Sequence, residues 1–147
     1  MAQIAQLTGL LAASVNVLAA LVGAWRWWTV EMSRTFWVLA RAGQAAAIAQ
    51  ALVAGVLALL GFVAADGLYW LYALLPVAVS FVGEQFRVTA AQTVLDARGL
   101  PDAHAVGRLD EDRQRSVVMA IVRREMGTMA AAALVVVFLC LRAAGTA

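Results

Sequence analysis

The chain has 147 residues, of which 64% are hydrophobic and 14% charged, with a net charge of +2. Soluble domains carry roughly 45–50% apolar and about 25% charged residues. This composition excludes a soluble enzyme, a disordered tail and a disulfide-framed secreted domain, and it points to a single membrane-embedded domain.

A helix crossing a ~30 Å hydrocarbon core needs about 20 mostly apolar residues. Uncharged runs cover 1–25, 42–65, 67–83 and 126–141. They predict four spans at about 2–25, 37–63, 67–86 and 118–142 in one domain of residues 1–147. The last two runs are short, so their flanking charges belong at the interface, where Arg stems can lie along the helix. The runs are continuous rather than alternating. They therefore suit helices, which satisfy their own backbone in lipid, and not a barrel.

The first run has no basic residues before it and is followed by Trp25-Arg26-Trp27-Trp28. That pattern predicts an uncleaved helix rather than a signal peptide. In the second run, Ala47, Ala51 and Gly55 lie four apart and predict a small-residue packing face. It would serve within one bundle or between copies. Pro76 lies inside the third run and is expected to kink it. That helix is expected to run on to Ala97, with Gly99 as its left-handed stop and Pro101 close behind. Asp110-Glu111-Asp112 is expected to open the last helix, where acidic residues suit the helix dipole. One or two helical turns within 101–109 would join the two. The result is a helical hairpin over about 86–125.

All 11 basic residues are Arg, and ten of them fall between the first and second spans or between the third and fourth. The positive-inside rule then puts those loops, hairpin included, in the cytoplasm and both termini outside. Trp25, Trp27, Trp28 and Trp37 would form an inner aromatic belt, and Tyr69, Trp70 and Tyr72 an outer one. The expected fold is thus all-α, an integral membrane four-helix bundle of the bacterial plasma membrane. The lipid bilayer is its first partner. The mild basic charge follows from orientation and calls for no nucleic acid.

Chemistry-bearing residues are few. His104 is the one His and is expected to be a solvated loop residue. Cys140 is the one Cys and is expected to act as a small apolar side chain. No zinc-ligand spacing, phosphate-binding glycine loop or nucleophile motif is present. No catalytic residue, metal or cofactor is therefore expected.

One polar feature stands out. Glu84 lies 18 residues from Asp66, and Arg124 lies 18 residues from Arg142. At 1.5 Å per residue both lie about 27 Å from the outer boundary. Gln44 reaches a similar depth on the second helix, with Arg41 one turn beyond. These depths predict a cluster of Glu84, Gln85, Arg87, Gln44, Arg41, Arg123 and Arg124 at the cytoplasmic edge. A carboxylate there is costly unless paired, and Arg is its best partner. The cluster could fix helix register, or it could hold an ion, a proton or a lipid headgroup. Asn16 and Gln50 lie nearer mid-depth and are expected to make interhelical hydrogen bonds.

Four segments carry a resemblance. They are Phe36-Trp37 with Arg41-Ala42-Gly43-Gln44; Tyr72 to Pro76; Val94-Leu95-Asp96-Ala97-Arg98-Gly99-Leu100; and Arg115-Ser116-Val117-Val118 through Arg123-Arg124-Glu125-Met126. Together they resemble a group of uncharacterised four-helix integral membrane proteins of high-GC actinobacteria, over most of the chain. The resemblance implies no activity and carries over no site residue. The expected role is a non-enzymatic accessory or scaffold subunit that binds a larger membrane protein or its own copies. The rival is a small oligomeric transporter or channel built on Glu84.

Overall fold

The computed structural model describes residues 1–147. It consists of five helices: α1 (Ala2–Thr29), α2 (Arg34–Leu59), α3 (Leu68–Ala97), the single turn α4 (Ala103–Val106) and α5 (Glu111–Thr146). The four long helices are each long and apolar enough to cross a membrane. Large apolar side chains face outward all round them, among them Leu11, Leu21, Leu52, Phe81 and Phe138. A bundle with that exterior is a multi-pass membrane protein, because only lipid solvates such a surface without penalty.

The core follows a seven-residue repeat. Buried positions alternate at intervals of three and four: Ala5, Gly9, Ala12, Asn16, Ala19 and Gly23 on α1. On α2 they are Phe36, Ala40, Gly43, Ala47, Gln50, Ala54 and Leu57. Met126, Met129, Ala133, Val136, Cys140 and Ala143 continue the pattern on α5. On α3 the repeat runs Tyr69, Ala73, Pro76, Gly83, Ala90 and Val94, with half-buried Ser80 and Arg87 in the intervening positions. A 3.5-residue repeat is that of knobs-into-holes packing. Here the knobs are mostly Ala and Gly, so the backbones approach closely and dispersion does the work that burial does in water. The face of Ala47, Ala51 and Gly55 is therefore corrected as a face within the bundle. The seam runs through Ala47, Gln50 and Ala54, while Gly55 faces open space. Residues spaced strictly by four drift about 40° per step around a 3.6-residue helix, and so leave the seam.

The helices close a ring in the order α1–α2–α3–α5. α5 packs extensively on both α1 and α3, α1 packs on α2, and α2 touches α3 more thinly. Gly23 allows a close approach of three helices. A Cβ there would stand 2.5 Å from the Phe36 ring and 2.8 Å from Ala130.

One end of the ring gathers both chain termini and the α2–α3 turn. The Asp66 amide donates to the Thr146 carbonyl at 3.2 Å. Ala5, Ala54, Tyr69 and Ala143 share one core cluster there. Tyr69 is 1% exposed and packs edge-on to Phe62 and Trp70. It plugs the bundle end instead of joining an interfacial belt, because its place in the seven-residue seam turns it inward. α2 stops at Leu59, short of the expected 63, and Gly61 turns the chain at φ 78°.

The opposite end carries the α1–α2 turn and the hairpin. Val30 ends α1 at φ 54°, a left-handed conformation strained for a β-branched residue. Arg26 and Glu31 pair across that turn. The Ser33 hydroxyl caps α2 by accepting from the Phe36 amide at 3.2 Å. α3 remains helical through Pro76 and ends before Gly99, whose φ is 66°. Asp102 caps α4, accepting from the Ala105 amide at 2.8 Å, and Asp110 caps α5. At 36 residues α5 is about 54 Å long, well beyond a ~30 Å core. Its overhang packs on that of α3 through Val94, Leu95, Val106 and Val117. The hairpin therefore has an apolar core of its own.

Candidate functional site

The polar cluster forms between α2 and α3. Glu84 lies one helical turn before Arg87, and both face α2. Arg41 and Gln44, also one turn apart, face back. Arg41 Nη1 donates to Glu84 Oε1 at 2.7 Å, and its Nη2 reaches Oε2 at 3.4 Å. Gln44 Nε2 donates to the same Oε1 at 2.8 Å. Arg87 Nε donates to Oε2 at 2.8 Å. Arg41 also donates to Gln44 Oε1 at 2.7 Å, so the α2 pair is held together before it meets the carboxylate. The Arg87 guanidinium lies over the Trp37 ring, 5.6 Å from its centroid.

Both carboxylate oxygens of Glu84 are thus engaged by three side chains from two helices. The Glu84 side chain is 21% exposed, against 28% for Arg87 and 54% for Arg41. The chemical capability of this arrangement is to join α2 to α3, the pair of ring neighbours with the thinnest contact.

Gln85, Arg123 and Arg124 stand outside the cluster, contrary to the sequence expectation. Gln85 is exposed beside it and bonds to none of its members. Arg123 stacks over the Trp27 ring at 5.1 Å, on the α1–α5 edge. Arg124 lines a groove on that same edge. The depth count fails for α5, because Arg142 stands over Tyr72 rather than at Asp66 and a Cβ on Gly83 would meet Ala132; Arg123 and Arg124 therefore lie about two turns beyond Glu84. The ring order puts the α1–α5 edge opposite the α2–α3 edge.

Deeper in the bundle the two amides differ. Asn16 Nδ2 donates to the Ala12 carbonyl at 2.9 Å and to the Gly43 carbonyl of α2 at 3.1 Å. Gln50 is 2% exposed, and neither its amide nitrogen nor its oxygen has a partner. This corrects the expected interhelical bond for Gln50. Asn16, Gln44 and Ser80 line a small cavity of about 10 Å³ just inside the Glu84 cluster. Sequence reasoning had no means of finding this cavity, which depends on four helices meeting at one level. His104 is exposed on α4, and Cys140 is fully buried in the seam.

No protein-family model, curated protein or solved structure matches this chain.

Proposed function

We propose that this protein is a non-enzymatic accessory or scaffold subunit of the bacterial plasma membrane, akin to the four-helix proteins of high-GC actinobacteria it resembles. The observation that carries this reading is the saturation of Glu84. An ion or proton site needs a free valence, and here both carboxylate oxygens are taken up in joining two helices. The hairpin adds support. Its core takes Val94, Leu95, Val106 and Val117, while Phe86, Val88 and Val118 stay exposed, and it presents charges of both signs, including Asp96, Asp110, Arg108 and Arg113. Such a surface suits contact with a protein partner or a second copy. Ten of eleven Arg lie toward this end, so the positive-inside rule supports a cytoplasmic hairpin with both termini outside.

The test is extraction at native expression levels in mild detergent, followed by intact mass and identification of every accompanying chain. A stoichiometric larger membrane protein, crosslinked through the hairpin, supports the reading. A homo-oligomer alone moves the weight to transport.

Transport is the second reading, and one observation favours it. A small cavity lined by Asn16, Gln44 and Ser80 among apolar residues adjoins Glu84 through Gln44. Proteoliposome flux that is unchanged in Glu84→Gln removes it.

A further inference from the structure

The edge opposite the polar cluster carries a groove of about 570 Å³ between α1 and α5. Its walls are Ala20, Ala24, Gly127 and Ala131, with Leu21 and Leu134 at the sides. Arg124 and Trp27 stand at one end of it. Arg123 is held at the same end by stacking on Trp27 at 5.1 Å. The four ion pairs of the chain include neither Arg123 nor Arg124, and the Trp27 indole N–H donates to no group of the protein. Gly127 makes room for this end, since a Cβ there would stand 2.8 Å from the indole nitrogen.

The groove is therefore built asymmetrically, with cationic and N–H donors at one end and bare hydrocarbon along the rest. From Arg124 to Leu134 it runs ten residues, about 15 Å along the helix. That is about half of a ~30 Å hydrocarbon core, the depth of one leaflet. A second groove of about 480 Å³, between α3 and α5, shares Thr128 and Ala131 but has no charged residue in its lining. Its charged end distinguishes the first groove from it.

We infer that the α1–α5 groove binds one anionic phospholipid of the leaflet at the hairpin end. Its phosphate is held by Arg123, Arg124 and the Trp27 indole, and one acyl chain lies along Ala20, Ala24 and Ala131. Guanidinium groups suit a phosphate by fork geometry, and Trp suits the headgroup level. The binding rests on the bundle spanning a bilayer and is independent of the scaffold role. A second copy of the chain is the competing occupant. It would have to desolvate two unpaired guanidiniums against its own net-positive hairpin end.

The experiment is native mass spectrometry of the purified full chain in mild detergent, with matched palmitoyl-oleoyl phosphatidylglycerol and phosphatidylcholine. Retention of one phosphatidylglycerol per chain is expected, with a preference of about tenfold over phosphatidylcholine. Arg123→Gln with Arg124→Gln should bring that preference close to one. Ala24→Leu with Ala131→Leu fills the groove from its exposed side without touching the core, and should abolish retention of both lipids there while helicity stays unchanged. Undiminished preference in the first variant, or undiminished retention in the second, overturns the inference. So does displacement of the lipid by glycerol phosphate, which would show an anion site without a chain-binding groove. Efficient copper-catalysed disulfide formation between copies carrying Ala131→Cys, in lipid bilayers, would overturn it in favour of self-association.

Discussion

Asn16 of α1 and Gly43 of α2 fit only as a pair. The Asn16 amide donates to the Gly43 carbonyl at 3.1 Å, and a Cβ on residue 43 would stand 2.5 Å from the Asn16 amide oxygen. The glycine is what lets a buried amide bridge two backbones at mid-bundle. Gly43→Ala should therefore destabilise the protein by about 1–3 kcal/mol, the usual cost of overpacking a tight core. Asn16→Leu should lose the bridge as well, at about 0.6–1.7 kcal/mol for an interhelical bond in lipid. Gly55→Ala serves as the control, because its Cβ would meet nothing within 4 Å. It should be neutral, or stabilising by a few tenths of a kcal/mol up to about 1. Thermal unfolding in detergent reads all three, and equal losses at Gly43 and Gly55 would refute the steric argument.

Gln50 makes the opposite prediction. Its amide is buried without a partner, which costs on the order of 1–3 kcal/mol. Gln50→Leu keeps the volume and removes the unpaired groups, so it should raise the unfolding temperature. A fall on that substitution would show that the amide is hydrogen-bonded in the membrane.

The α2–α3 clasp should behave as a network of unequal strands. A double-mutant cycle on Glu84→Gln and Arg87→Gln should give a coupling of about 1 kcal/mol. The cycle with Arg41→Gln should give less, since that guanidinium is 54% exposed and better screened. Raising ionic strength should weaken the Arg41 coupling first. A larger coupling for Arg41 than for Arg87 would contradict this ranking.

Orientation is testable with single cysteines, because the native Cys140 is fully buried. Ala65→Cys on the α2–α3 turn should react with an impermeant maleimide in intact cells. Ala103→Cys on the hairpin should react only after the cells are opened. The reverse pattern would invert the proposed topology.

Four long helices, the hairpin overhang and the Gly99 stop were legible in the chain, because bilayer thickness and helix rise convert uncharged runs directly into elements. The seam was harder to see. Ala is so frequent that a four-residue spacing through Ala47, Ala51 and Gly55 looked as good as the true run through Ala47, Gln50 and Ala54. Depth could be counted, so Glu84 was correctly levelled with Gln44 and Arg41. Neither azimuth nor the offset of α5 could be counted: Arg142 stands over Tyr72 rather than at Asp66, so Arg123 and Arg124 lie about two turns beyond Glu84 and on another edge. Tyr69 was misplaced for a related reason. Its aromatic neighbours suggested an interface, while its register in the repeat turned it into the core. The groove beside Trp27 had one signal, Gly127 placed just after the Arg pair, but a glycine in an Ala-rich helix is not distinctive by itself.

The ring order also bears on how the protein is made. α1 packs extensively on α5, which is synthesised after α1 to α4, and more so than on α2. During synthesis α1 and α2 can pair through Asn16 and Gly43, but the side of α1 that carries Gly9 and Ala20 waits for a helix about a hundred residues later. Until α5 arrives, a strip of small residues lies open to lipid and to other nascent helices. The contacts that complete the bundle are those farthest apart in the chain, so closure of the ring is a late step that commits the whole assembly at once.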